Sequence, residues 1–239
     1  MTTGPASPAP ILGRIVPAPD LADLAAASAR LEHLPASSAV AWAWERFGEA
    51  CVLTASFQDC VLLDIAVQVA PGIEVVFLDT QYHFAETLAY VEQVRERYDL
   101  NLTVVEPVVA MDDRWRFDQN GCCRSRKVEP LRRALEGRSA WITGLRRSEA
   151  PSRAGAPIVS WDLMQDVVKV NPLATWTDHD VELYVKDHDL PVHPLTDEGY
   201  SSIGCWPCTR PVAPGEHARA GRWADSAKTE CGLHGEPEG

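Results

Sequence analysis

The pattern that most restricts the fold of this chain is a repeated exchange between short apolar runs and longer amphipathic ones. CVLTAS (51–56) is apolar until it ends in small polar residues, as a buried strand does. QDCVLLDIAVQVA (58–70) is long enough for a helix with one broad apolar face, and Pro71-Gly72 stops it. IEVVFLDT (73–80) repeats the strand pattern, residues 83–98 the helix, and LTVVEP (102–107) the strand again. Strands alternating with helices of this length predict βαβ units and a mainly parallel sheet. AWITGLR (140–146) reads as a further strand, and DVVKV opens a segment holding a short strand and then a helix. Thr177 with Asp180 supplies a capping-box start for that helix. Residues 21–48, Ala-rich with spaced Leu and Trp, predict one or two helices ahead of the core.

Parallel sheets of this kind bind ligands beyond the C-terminal ends of their strands. Thr54, Ser56 and Asp59 follow the first strand, and Asp79 and Thr80 the second. Backbone amides at the helix start after Ser56 are suited to a phosphate, although polar strand ends serve equally as ordinary turns and caps. From about residue 190 the chain is rich in Gly and Pro and must be held by something other than regular structure. The expected organisation is a flexible tail over residues 1–20, one α/β domain over 21–210 and a C-terminal arm over 211–239.

The net charge of −12 argues against broad binding to nucleic acid or anionic lipid. No apolar run approaches the roughly 18 residues of a membrane span. The first ten residues, MTTGPASPAP, lack a basic region and an apolar stretch, so a cytoplasmic location is expected. The average charge hides a reversal: residues 114–153 hold 11 Lys/Arg against 4 Asp/Glu. That concentration is either a solvated helical face or a pocket for a small, highly charged anion.

Within it lies GCCRSRK (121–127), two adjacent cysteines followed by Arg124, Arg126 and Lys127. Far downstream, GCWPC places Cys205 and Cys208 at Cys-x-x-Cys spacing. An odd total of seven cysteines argues against a disulfide framework. Cys51 and Cys60 sit in apolar surroundings and read as small core residues. The four others are open to a thioredoxin-like pair, a vicinal disulfide, a structural zinc or an iron–sulfur cluster. Consecutive helical side chains diverge by about 100°, which is awkward for one metal ion. It is easier for a cluster whose irons are separate, and the cluster is favoured over zinc. Cys231, in KTECGLHG, is either an inconsequential tail cysteine or a nucleophile on a mobile flap, with Arg219, Arg222 and His234 as nearby groups that favour a thiolate or an anion.

CCRSRK, GCWPC, RAGRW and ECGLHG, in that order, together resemble the assimilatory adenylyl-sulfate (APS) reductase family, and LDTQYHFAET resembles its nucleotide-binding region. The resemblance covers roughly residues 40–235. It implies an adenine-nucleotide α-hydrolase-like fold with a parallel five-stranded sheet core. It also implies thiol-dependent reduction of APS to sulfite and AMP through an S-sulfocysteine on Cys231. By the same resemblance Cys122, Cys123, Cys205 and Cys208 match the ligands of one 4Fe-4S cluster. Lys127, Arg219, Arg222 and His234 match contacts to the phosphosulfate, with Arg146 a further contact, while Ser56 and the Leu78-Asp79-Thr80 backbone line the nucleotide site. The implied partners are APS and a thioredoxin or glutaredoxin-like reductant, with a homo-oligomer left open. Members that use the 3′-phosphorylated substrate, PAPS, generally lack the cluster cysteines, so APS is favoured; the alternatives are a PAPS reductase, a non-enzymatic zinc module, and a tRNA-thiolating enzyme of the related ATP pyrophosphatase group, which would need a Gly-rich ATP loop and a basic RNA-binding surface that the sequence does not offer. One departure stands out: ASFQDC has no glycine where related nucleotide loops often carry one.

Overall fold

The computed structural model describes residues 20–224, 226 and 228–234. The expected flexible tail, apart from Asp20, lies outside the described residues. In chain order the main elements are α1 (Leu21–Leu31), α2 (Ala36–Phe47), β1 (Cys51–Ala55), α3 (Val61–Val69), β2 (Glu74–Leu78), α4 (Ala85–Tyr98), β3 (Leu102–Val105), α5 (Gln119–Cys123), α6 (Glu129–Leu135), β4 (Ala140–Thr143), β5 (Val159–Asp162), β6 (Val167–Val170) and α7 (Asp178–Asp187).

The strands form one sheet in the order β3-β2-β1-β4-β6-β5. The first five of these are parallel, with Leu53 opposite Val75 on one side and Ile142 on the other. This is the expected five-stranded parallel core, enlarged by a sixth strand. β5 runs antiparallel to β6, pairing Val159 with Val170. VSWD carries no apolar run, and Leu163 and Met164 sit exposed in the hairpin turn, so the local pattern gives no strand signal there.

Alternation along the strands divides the apolar residues between two faces. Cys51, Leu53, Val75, Phe77 and Ile142 belong to a large core shared with α1, α2, α3 and α4. Val52, Val76, Trp141 and Val167 face the other way, into a small core closed by Leu131 and Leu135 of α6 and by Leu233 of the C-terminal arm. The second face is therefore thinly covered, and the arm is part of its cover. Asp20 caps α1 through Ala22 N, and the capping box of Thr177 and Asp180 starts α7 as expected.

The turn-rich region after α7 is tied down by polar groups. His193 is buried; its Nδ1 accepts from the Leu195 amide at 3.2 Å and its Nε2 lies 3.0 Å from Thr87 Oγ1. Accepting at Nδ1 requires the neutral ring, and burial pushes its pKa from 6.5 down to about 4. The unfolded chain thus binds a proton that the native one rejects between these values. Stability is expected to be flat above about pH 6.5 and to fall as the pH drops towards 4, by roughly 3 kcal/mol from this residue. His193→Asn, which keeps the acceptor without the titration, is expected to flatten the melting temperature against pH over that interval. An unchanged slope in calorimetric scans would refute the assignment.

Candidate active site and cysteine cavity

The C-terminal edge of the parallel strands opens into a single cavity that gathers most of the sequence-predicted residues. Ser56 after β1, Leu78 at the end of β2 and Thr80 just after it line its floor. Lys127 enters from the helix of the tandem cysteines, and Arg146 from the loop after β4. Arg219, Arg222, Cys231 and His234 close over it from the arm. Asp79 is the exception. Its carboxylate turns back to accept from the Gln81 amide at 2.8 Å, and it does not line the cavity.

The missing glycine of ASFQDC has a local explanation. Phe57 takes φ 55°, the left-handed conformation that glycine adopts most readily. That conformation costs a non-glycine residue roughly 1–2 kcal/mol. Burial offsets it: the Phe57 ring is 1% exposed and meets Phe77 edge-on at 5.4 Å. Asp59 then accepts from the Val61 amide at the start of α3.

The three cations behind the tandem cysteines separate in the structure. α5 continues through a π-helical turn, Arg124–Val128, into α6; such turns re-aim side chains within an otherwise regular helix. Asp118 caps Gly121 N at 2.8 Å, and a Cβ on Gly121 would lie 2.0 Å from the Asp118 Oδ2. Cys122, Cys123, Ser125 and Arg126 are buried, whereas Arg124 points to solvent. Arg126 stacks over Tyr82 with its Cζ 4.6 Å from the ring centre and donates to Gln81 Oε1 at 3.0 Å.

Cys205 is held by a β-bridge to His83, and Trp206 N donates to Tyr82 O at 2.8 Å, so GCWPC is pinned to the loop after β2. Cys122, Cys123, Cys205 and Cys208 therefore line one small cavity, next to the larger one. Burial pushes three of these thiols up: Cys122, Cys123 to about 12 and Cys208 to about 11. Four cysteine sulfurs lining one cavity are a donor set suited to a metal centre, which takes them as thiolates. Among the described residues no group of three His, Cys, Asp or Glu is placed to hold a single metal ion. Two buried donors also lack partners beside the cysteines: Arg126 Nε and Arg222 Nε, both on residues lining this cavity. An anionic cluster would satisfy both, and on these observations the residues fit a four-iron cluster.

Lys127 and Arg222 line both cavities. Burial opposes the charge of Lys127, but the Cys205, Cys231 and Cys123 thiolates more than compensate and hold its pKa above the lysine norm. His234 is held neutral, well below its usual value, by burial and by the Lys169, Arg153 and Arg219 cations. Its ring stacks on Trp141 at 5.5 Å, and its Nδ1 has no partner. Arg146 is engaged by Asp178 at 2.6 Å and Glu149 at 3.5 Å, while Arg219 bonds Thr229 O at 3.2 Å and Arg222 bonds Ser202 Oγ and Ile203 O, both at 3.3 Å.

Residue-by-residue reading overlooked Trp141, Arg153 and Gly204, all of which line the main cavity. Gly204, in GCWPC, matters through its missing side chain: a Cβ there would stand 2.3 Å from Arg222 Nη2 and 2.5 Å from its Cζ. Gly204→Ala is expected to displace the Arg222 guanidinium from both cavities and to lower kcat/KM about 10- to 100-fold, with little change in melting temperature. Added to Arg222→Ala it should cost almost nothing further, because the two changes remove one interaction. Additive losses in steady-state assays would show that Gly204 acts elsewhere.

These features define a class: an adenine-nucleotide α-hydrolase-like α/β protein with a cation-lined cavity at its sheet edge and a C-terminal cysteine on the cavity wall. The FMN adenylyltransferase of Candida glabrata shares the fold alone, with a TM-score of 0.60 at 16% identity over 79% of this chain and 66% of that one. The chain belongs to the phosphoadenosine phosphosulfate reductase family, whose domain model matches residues 50–211. The adenosine 5'-phosphosulfate reductase of Mycobacteroides abscessus is 47% identical over 215 residues, 87% of this chain and 91% of that protein. The phosphoadenylyl-sulfate reductase of Candida auris, solved as a phosphate complex, superposes with a TM-score of 0.72 at 26% identity, covering 80% of this chain and 98% of that one.

Proposed function

We propose that this enzyme reduces APS to sulfite and AMP with electrons from an external dithiol, in the assimilation of sulfate. The observation that carries the reading is the convergence of Cys231, Lys127, Arg219, Arg222 and His234 on one cavity at the nucleotide edge of the sheet. The similarity to APS reductases supports the same substrate.

The electrophile in APS is a sulfur ringed by negative oxygens, so a thiolate nears it only where cations offset the repulsion. Lys127, Arg219 and Arg222 supply that charge, and the unpartnered Nδ1 of His234 is free to bond a substrate oxygen. The Cys231 thiolate attacks sulfur, the bond from sulfur to the phosphate oxygen breaks, and AMP departs with the electron pair. The product is an S-sulfocysteine, which divides one difficult step into two. A thiolate of the reductant then attacks Cys231 Sγ and expels sulfite. The resulting mixed disulfide is resolved by the reductant's second thiol, which restores Cys231 and leaves the reductant oxidised by two electrons. A thioredoxin or glutaredoxin-like protein fits that role, and a cytoplasmic setting supplies one.

Cys122, Cys123, Cys205 and Cys208 would hold the 4Fe-4S cluster. When bound, it supplies a compact negative centre that locks the two cysteine pairs together and sets the field at Lys127. The cluster cysteines also support APS over PAPS. Among the described residues no helix is long and apolar enough to cross a membrane.

The test is sulfite and AMP release by anaerobically purified protein given a dithiol and either APS or PAPS. Sulfite from APS is expected, with a lower kcat/KM for PAPS. The reverse preference would make the enzyme a PAPS reductase, and no sulfite from either would overturn the reading.

A further inference from the structure

Glu230, immediately before the nucleophile, is bound by a charged cluster that the reaction itself does not require. Arg153 grips it with two parallel bonds, Nε to Oε1 and Nη2 to Oε2, both at 2.7 Å. Ser152 Oγ donates to the same carboxylate at 3.2 Å, and Arg219 Nη2 stands 3.6 Å away. The pair is largely removed from solvent, with side chains 9% and 17% exposed. Arg153 is also held by Glu149, which in turn meets Arg146. Thus Glu149 and Glu230 offset three arginines that would otherwise repel one another at the cavity wall.

On the far side of Cys231, Leu233 packs into the small core and His234 stacks on Trp141. The thiol is therefore held between an ionic contact in front and an apolar one behind. Before Glu230 the segment is held more lightly, by Arg219 Nη2 to Thr229 O at 3.2 Å and by Ser226 Oγ to Gln119 Oε1 at 2.8 Å, both exposed contacts. The ionic contact sets the thiol against the cations of the anion pocket.

We infer that Glu230 is a positioning residue whose two-bond contact with Arg153 latches the arm shut and seats Cys231 beside the anion-binding arginines. This rests on the reading of Cys231 as the nucleophile. The latch has two opposite consequences. Closure favours attack on the phosphosulfate, while the external reductant reaches the sulfonated sulfur only after the latch opens. Breaking it should slow the first half-reaction and spare or quicken the second.

The test needs no substrate. Holoenzyme is treated with iodoacetamide, and modification of Cys231 is followed by peptide mass, for the wild type and for Glu230→Gln and Arg153→Gln. If the latch holds the arm, both variants are alkylated at least about tenfold faster. A change in thiol reactivity alone would drive them in opposite directions, since one variant loses a negative charge and the other a positive one. Opposite signs, or rates within about twofold of wild type, would overturn the inference. The exchanged pair Arg153→Glu with Glu230→Arg is expected to recover protection while leaving sulfite production low, because residue 153 also lines the cavity. Exchange without recovered protection would count against a direct contact. Failure of the wild type to release sulfite would refute the function and leave the alkylation result standing.

Discussion

Cys231→Ser protein, given APS labelled at sulfur and no reductant, is expected to carry no label, whereas wild-type protein accumulates one label per chain at Cys231. Sulfite production with a dithiol should fall by at least about 10⁴-fold, the scale on which removing a nucleophile is felt. The serine hydroxyl is far less nucleophilic than a thiolate and cannot pass sulfur to a second thiol. APS affinity should change little, because Lys127, Arg219 and Arg222 still line the cavity. Folding should also be preserved, since Cys231 is only partly buried and Leu233 still anchors the arm in the small core. Label retained on the serine variant would mean that another residue takes the sulfur.

Lys127→Met is expected to lower the rate of label transfer about 10²- to 10³-fold, the cost of losing one preorganised donor, or roughly 2.7–4 kcal/mol of barrier. Lys127 shares both cavities with Arg222, and its charge is the one held up by Cys205, Cys231 and Cys123 together. Methionine keeps most of the stem and its packing, so the loss reports charge rather than shape. The four cysteines are untouched, so iron content should remain at the wild-type level. Single-turnover transfer at the wild-type rate would show that the clamp works without this residue. Loss of iron alongside loss of rate would show instead that Lys127 acts by holding the cysteine pairs.

The core of the fold was legible because its signals are local. CVLTAS, IEVVFLDT and LTVVEP became β1, β2 and β3, and the Thr177–Asp180 capping box was visible four residues at a time. β5 was not legible: an edge strand of mixed residues is defined by its pairing with β6, which no window of local sequence contains. The candidate site divides in the same way. Cysteines announce themselves by type and spacing, so all five functional candidates could be named. Arg124 and Arg126 look alike in CCRSRK, yet one is exposed and the other buried over Tyr82. Asp79 and Thr80 are neighbours after β2, yet the Asp79 carboxylate serves a turn while Thr80 lines the cavity.

What the sequence determined on its own was the alternation that makes a parallel α/β sheet and the presence of two cysteine pairs and a terminal thiol among cations. Both follow from residue type and near-neighbour spacing. Only the tertiary structure decided which cations face the thiol, that Gly204 makes room for Arg222, and that Arg153 holds Glu230. The physical reason is separation along the chain: Arg153 and Glu230 lie 77 positions apart, and their meeting depends on how the sheet, the π-turn and the arm pack together.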